Sequence, residues 1–303
     1  MAISRSQLVK ELEPGLNALF GLEYKRYENQ HAEIYTTESS DRAFEEEVML
    51  SGFANAQVKG EGSGVSFDEA QETFTARYTH ETVALAFAIT EEAIEDNLYD
   101  RLASRYTKAL ARSMSNAKQV KSVEPLIQGL PSTDGFDSGD GVSLFNTAHP
   151  TVAGTFANTL ATQADLNETS LEQSLIDIGQ MSDERGLRIA ARGVKMIIPS
   201  ELQFTAERLM KSQGRTGTAD NDINAIVSMG MIPQGYRVNN YLTDSDAFYI
   251  LTDVPNGMKM FNRAPLTTAM EGDFDTGNVR YKARERYSFG VSDPRGIFGV
   301  EGA

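Results

Sequence analysis

Residues Thr90 to Val123 read TEEAIEDNLYDRLASRYTKALARSMSNAKQVKSV, and this stretch decides the fold because it predicts one long helix. Thr90 suits an N-cap. Glu91, Glu92, Glu95 and Asp96 crowd the first turns, while Lys108, Arg112, Lys118 and Lys121 lie further along, the order a helix dipole favours. Neither Gly nor Pro interrupts the run before Pro125. At 1.5 Å per residue it spans roughly 50 Å, long for a globular helix. Its bulky apolar residues, Ile94, Leu98, Leu102, Tyr106, Leu110 and Met114, recur every fourth position. That spacing drifts by about 40° per step around a 3.6-residue turn, so an oblique apolar band is expected. Such a rod crosses several neighbours instead of forming a heptad seam.

Upstream, Ser4 to Tyr27 is amphipathic, with a break expected at Pro14-Gly15 and a second helical piece through Leu16, Leu19, Phe20 and Leu22. Glu28 to Arg42 is polar and irregular, with too few apolar residues to bury itself, and reads as an arm. An acidic run, Glu45, Glu46 and Glu47, leads into strand-like Val48, Leu50 and Phe53. Lys59, Gly60, Gly62 and Gly64 form a glycine-rich tip within Val58 to Ser66. Thr73 to Ile89 alternates in two sets, first Phe74, Ala76 and Tyr78, then Val83, Leu85, Phe87 and Ile89, which predicts about 55 Å of strand. A hairpin of that length cannot pack wholly within one domain.

Downstream, Gly129 to Thr159 is a long polar loop. Thr169 and Glu172 suggest a capping box for a helix through Leu171, Leu175 and Ile178. Val194 to Ile198 reads as a buried strand, and Pro199-Ser200 opens a helix through Leu202, Ala206, Leu209 and Met210. A second glycine-containing loop, Gln213 to Asn224, precedes strand candidates at Tyr236–Leu242, Ala247–Thr252 and Met258–Asn262. The cleanest strand is Val279 to Val291. One face carries Val279, Tyr281, Ala283, Tyr287, Phe289 and Val291, with Glu285 the exception; the other carries Arg280, Lys282, Arg284 and Arg286. Asp293-Pro294-Arg295-Gly296 turns the chain back into Ile297 to Val300.

Composition narrows the function. The 303 residues include 40% hydrophobic and 23% charged, with no cysteine, so disulfides, thiolate metal sites and cysteine nucleophiles are excluded. No run approaches a membrane span, and a soluble protein made in a cytoplasm, with no membrane partner, is expected. A net charge of −15 opposes sequence-independent nucleic-acid binding over the whole surface.

Motifs for chemistry fail one by one. The glycines at 60, 62 and 64 lack a following helix N-terminus to hold phosphate. Asp220, Asp222 and Asn224 start like a calcium loop, but Ala225 replaces the turn glycine and Met231 the bidentate Glu. Asp137 to Gly141 suits an Asx turn better than a cation site. The three histidines, His31, His80 and His149, mark no zincin or triad, and Ser115 with Lys118 reads as a solvated helix face. No catalytic residue, metal ligand or cofactor is expected. The basic strand Arg280 to Arg286 is either a solvated face or a docking face for an acidic segment of another copy, such as Glu45 to Glu47, or for nucleic acid.

Several short motifs, in order, carry a resemblance. They are Ile89-Thr90-Glu91-Glu92; Asp140-Gly141-Val142-Ser143-Leu144-Phe145-Asn146-Thr147-Ala148-His149-Pro150; Asp220-Asn221-Asp222-Ile223-Asn224; Tyr241-Leu242-Thr243-Asp244; and Arg286-Tyr287-Ser288-Phe289-Gly290 with Asp293-Pro294-Arg295-Gly296. With the hairpin and long helix, they resemble the major capsid proteins of tailed phages, which share the α+β fold named after phage Hong Kong 97, and most of all the Mu-type major head subunit. The resemblance implies an N-arm over 1–47, an extended loop over 48–78, and a peripheral domain over 79–192 with its spine helix at 90–123. It further implies an axial domain over 193–262 and peripheral C-terminal strands over 263–303. It implies a structural protein, not an enzyme, forming pentamers and hexamers of an icosahedral shell in a virion assembled in a bacterial cytoplasm. Portal, scaffold and decoration proteins would be partners, with packaged double-stranded DNA held on the inner face without sequence specificity. Scaffolding would come from a separate protein or from a piece already removed. Inter-subunit contacts would involve Glu45 to Glu47, the tip residues Lys59, Gly60, Gly62 and Gly64, and the basic strand. An encapsulin-like compartment shares the architecture, and a hydrolase with a non-obvious site or a monomeric binding module is a further alternative.

Overall fold

The computed structural model describes every residue except 1–4, 91, 93–98, 134, 215–222 and 274–276. The fold is mixed α and β, built on two four-stranded sheets. The first has the order β1 (Thr36–Ser39), β10 (Met258–Gly272), β11 (Val279–Val291), β4 (Glu81–Ile89). The second has the order β12 (Ile297–Val300), β9 (Phe248–Thr252), β7 (Gly193–Ile198), β8 (Tyr236–Val238). A separate hairpin pairs β2 (Phe44–Leu50) with β3 (Glu72–Thr79), and a small one pairs β5 (His149–Thr151) with β6 (Gly154–Phe156).

The long helix is α2, Tyr99–Gln128, and it runs through Pro125 instead of stopping before it. Proline there costs only the bond its N–H would give Lys121, close to the helix end, where Gly129 N still donates to the Pro125 carbonyl at 3.1 Å. Glu91, Ile94, Glu95, Asp96 and Leu98 lie outside the described residues, as does the side chain of Leu102. Of the expected oblique band, Leu110 and Met114 are buried, but Tyr106 is 47% exposed, and the buried face among the described residues is straight. It runs Ala103, Thr107, Leu110, Ala111, Met114, Ser115, Gln119, Ser122, Val123 and Leu126, a three-and-four spacing built largely from small and polar side chains. Their size lets α1 (Arg5–Tyr24) approach, so that Leu16 and Phe20 pack with Leu110, Ala111 and Met114. Pro14 does not break α1, which continues past it as one helix.

The expected 17-residue strand is two strands. The buried set changes parity at His80, and the chain leaves the hairpin there to enter the first sheet, with β4 pairing β11 from Glu81↔Tyr287 to Ile89↔Val279. The segment Glu28 to Arg42 is likewise no loose arm. Ile34 and Tyr35 are buried in a cluster with Val123, Leu126 and Met258; Tyr35 Oη donates to the Ser122 carbonyl at 2.6 Å, and β1 pairs in parallel with β10. Two apolar side chains suffice because hydrogen bonds carry the rest: His31 N donates to Gln119 Oε1 at 3.0 Å, and Lys195 Nζ to Glu33 Oε2 at 2.8 Å.

In the second sheet, α3 (Glu168–Gln180) buries Leu171, Leu175 and Ile178 as expected, but its cap is Asn167 with Ser170, not Thr169 with Glu172. A 3-10 turn at Ser200–Leu202 leads into α4 (Gln203–Lys211), and α5 (Ala225–Met229) is capped by Asn224. The strand beginning at Met258 extends to Gly272, far beyond Asn262, because its outer half pairs along β11. The last strand, β12, lies on β9 and so closes the sheet of residues 193–252, away from the other C-terminal strands.

Candidate assembly surfaces

The hairpin is defined by the register Phe44↔Thr79, Glu45↔Tyr78, Glu46↔Arg77 and Glu47↔Ala76. Between Leu50 and Glu72 the chain has no strand, and it exposes apolar side chains that no element of its own covers: Phe53 at 62%, Val58 at 100% and Phe67 at 98%. Gly62, at φ +76°, makes the turn at the tip, where Ser63 N donates to the Gly60 carbonyl at 3.2 Å. Lys59, Gly60 and Gly64 are exposed beside it. Exposed apolar side chains gathered on one loop are the kind of surface that marks interaction sites in general.

The acidic run, by contrast, has partners in its own chain. Glu47 Oε1 accepts from Lys259 Nζ at 2.6 Å, and Glu38 Oε1 lies 3.2 Å from the same ammonium. Burial would lower the Lys259 pKa, but the bonds to Glu47 and Glu38 outweigh it and hold it above the ordinary lysine value. Glu46 lies 3.7 Å from Arg77, whose guanidinium covers the Phe44 ring at 4.1 Å, and Glu45 accepts from Ser40 Oγ at 2.7 Å.

The basic strand has the alternation read from its sequence. Tyr281 and Ala283 face the helices, while Arg280, Lys282 and Arg284 are exposed on the opposite face. Arg280 pairs with Asp273, and Arg286 Nη2 donates to the Ala43 carbonyl at 3.4 Å. Lys282 and Arg284 have no side-chain partner among the described residues, so the free positive charge of this face rests on them. Among the described residues, no side-chain ion pair joins the acidic run to the basic strand.

Sequence reasoning missed a set of buried polar joints. Glu285, the exception on the apolar face, is 2% exposed and pairs with Lys118 Nζ at 3.2 Å; Tyr24 Oη donates to it at 3.3 Å. Burial raises the Glu285 pKa, against the pull of Lys118. Lys118 and Ser115 therefore line a packed seam, not a solvated face. His149 is fully buried. Its Nδ1 lies 2.6 Å from Asp140 Oδ2, and its Nε2 lies 3.0 Å from Asn158 Oδ1. Asn158 Nδ2 donates to the carbonyls of Leu144 and Pro294, which fixes the amide so that Nε2 must donate. Both ring nitrogens are spent on structure. Burial would raise the Asp140 pKa, but the hydrogen bonds from His149 and Ser138 keep it below the ordinary aspartate value. Asp137 caps the same loop as an Asx turn, accepting from Gly139 N and Gly141 N. His80 lies between β3 and β4, not inside a strand, with its ring nitrogens 2.9 Å from Ser288 Oγ and Ser40 Oγ. The aspartates 220 and 222 of the failed calcium motif lie outside the described residues. No group of three acidic or histidine side chains is placed to hold a metal among the described residues, and no described helix is long and apolar enough to cross a membrane. A polar residue breaking an apolar alternation, as Glu285 does, was the one sequence signal for these joints.

Residues 72–300 match the model of a family described as phage capsid protein. No curated protein matches the chain in sequence. Among solved structures, the chain is similar to the virus-like particle of Pyrococcus furiosus, at TM-score 0.54 and 11% identity over 95% of this chain and 98% of that one. It is also similar to the capsid of Myoviridae phage XM1, at TM-score 0.53 and 12% identity over 89% of each chain. A third likeness is to the capsid of the native GTA particle, at TM-score 0.53 and 15% identity over 92% of each. A family model across most of the length, on a body of two sheets, a spine helix and a projecting hairpin, leads to one conclusion: the chain belongs to the phage capsid protein family and has the fold named after phage Hong Kong 97.

Proposed function

We propose that this protein is the major head subunit of a tailed phage, assembling as pentamers and hexamers into an icosahedral shell around double-stranded DNA. The observation that carries the reading is the hairpin: residues 51–71 expose Phe53, Val58, Val65 and Phe67 on a projection that its own body leaves uncovered. In a monomer that surface is a liability; across a neighbouring copy it becomes interface. The motifs quoted above favour a relative of the Mu-type head subunit. On this reading 1–47 is the N-arm, 48–78 the extended loop, 79–192 and 263–303 the peripheral domain, and 193–262 the axial domain, to which β12 adds an edge. The chemistry is that of many modest contacts. An acidic chain at −15 lets DNA pack without adhering. Scaffold, portal and decoration proteins would join at assembly.

The likeness to the Pyrococcus furiosus particle supports a second reading, a compartment shell of encapsulin type. One experiment separates the two. The protein is expressed with and without the genes beside its own, and particles are sought by negative-stain electron microscopy and light scattering. Shells or capsomer rings are expected, with nuclease-protected DNA inside particles recovered from infected cells. Shells that protect a co-purifying protein and no DNA would favour the compartment, and a uniform monomer under every co-expression would reject both.

A further inference from the structure

A cleft of about 320 Å³ opens at the root of the hairpin, where Met49 to Gly52 face the turn after α3 and the loops after β9 and β11. Four carboxylates line it, Asp183, Glu184, Asp253 and Asp293, against one cation, Arg295. Arg295 is 2% exposed and already committed. Its Nη2 donates to Glu184 Oε1 at 2.7 Å, Nη1 to Asp293 Oδ1 at 3.2 Å, and Nε to the Ser182 carbonyl at 2.7 Å. Its guanidinium also covers the Phe156 ring at 4.1 Å. Glu184 is 2% exposed as well, and its Oε2 has no hydrogen-bond partner among the described residues. One guanidinium leaves most of this negative charge uncompensated beside a buried carboxylate oxygen, an arrangement that attracts a further cation.

The rest of the lining says what kind. Met49, Leu50, Ile189, Val254 and Pro255 add apolar atoms to the lining. The acidic groups do not converge as a metal-ligand set among the described residues. An ammonium or guanidinium on an aliphatic stem suits both halves of the cleft. Close by in the sequence, Val48, Leu50 and Phe53 also expose apolar side chains, Leu50 at 61%, the kind of surface a larger partner covers. The chain itself carries exposed cations of the right length in Lys59, Lys282 and Arg284. We propose that this cleft is a socket for a lysine or arginine side chain of a second copy of the chain, inserted when subunits meet. The inference rests on the assembly reading above.

The test uses carbodiimide and an amine to label carboxylates in free subunits and in assembled shells, read by peptide mass spectrometry. Protection of Asp183 and Asp253 in shells is expected; equal labelling in both states overturns the socket. The second arm is the pair Asp183→Asn with Asp253→Asn. Asparagine keeps the oxygens that accept from the backbone N–H groups of Arg185, Leu187 and Arg192, so subunit melting should not change. At low salt the subunit concentration needed for assembly should rise about tenfold, and its dependence on salt should flatten. A folded pair variant that assembles as the natural protein does would show that no cation enters. If the pair fails to fold, the labelling arm still decides. If the natural protein forms no shell at all, microscopy reports that first, and it is the assembly reading that fails.

Discussion

Lys118 Nζ lies 3.2 Å from Glu285 Oε2 and so ties the middle of the spine helix to the central strand β11. The carboxylate is 2% exposed, and its other oxygen, Oε1, has no partner among the described residues. Removing one member therefore leaves a buried charge. Lys118→Met should cost about 3–5 kcal/mol of subunit stability, whereas Lys118→Met with Glu285→Leu should recover most of it. Urea unfolding of the free subunit measures both. Equal losses in the single and double variants would show that the pair contributes packing alone.

His31 gives the subunit a pH dependence. Burial first, and the nearby Lys118 charge second, lower its pKa from 6.5 to about 4. The unfolded chain then binds the proton that the folded chain refuses, so stability present above pH 6.5 is lost as the pH falls toward 4. The loss is about 3 kcal/mol by the usual linkage. His31→Phe should flatten the slope of the urea midpoint between pH 6.5 and 4.5, keeping the ring contact to Phe289 at 6.0 Å. An unchanged slope would move the effect elsewhere.

Two glycines meet where the turn after β11 passes the loop before β10. A Cβ at Gly296 would sit 2.3 Å from the Gly257 Cα, and one at Gly257 would sit 2.8 Å from the Gly296 Cα. Backbone cannot yield as a side chain does. Gly296→Ala should cost about 2–4 kcal/mol and lower the melting temperature by several degrees. Gly62→Ala at the hairpin tip, strained at φ +76° but in open space, should cost only about 1 kcal/mol. Differential scanning calorimetry of the two variants gives the comparison.

Deleting 58–66 should leave the subunit folded, with its melting temperature within a few degrees of the natural one, and abolish shells. Limited proteolysis of free subunits should cut near Gly60 to Gly64 first. Normal shells from the deletion would remove the hairpin tip from the interface.

The sequence carried most of this architecture where the physics is local. β11 and β12 were legible to the residue, since alternation with a basic outer face and a D-P-R-G turn admit few other conformations. The long helix was legible too, but its buried face was not. The bulky residues pointed obliquely, and the seam is made by Ala103, Ala111, Ser115 and Ser122, whose burial depends on α1 lying against them. Ile34 and Tyr35 looked too few to bury themselves, because Gln119, Ser122 and Lys195, which hold their segment, come from distant parts of the chain. The change of parity at His80 stood in the sequence; its meaning, a passage from one sheet to another, needed the pairing of β4 with β11. The glycine-rich tip and the basic outer face of β11 were readable from composition. The intrachain partners of Glu45 to Glu47, and the cleft whose four carboxylates come from three separate loops, were not.

Both sheets are finished by the C-terminal part of the chain: β11 joins β10 to β4, and β12 is added to β9. During synthesis, Ser39 leaves the ribosome some ten to fifty seconds before Val291 at roughly 5–20 residues per second. Until then β4 has no complete strand to pair with. A chain released before Val279 lacks one of the two inner strands of the first sheet and an edge of the other, so fragments cannot imitate the finished body. Truncated products are thereby set apart from the finished subunit by topology alone.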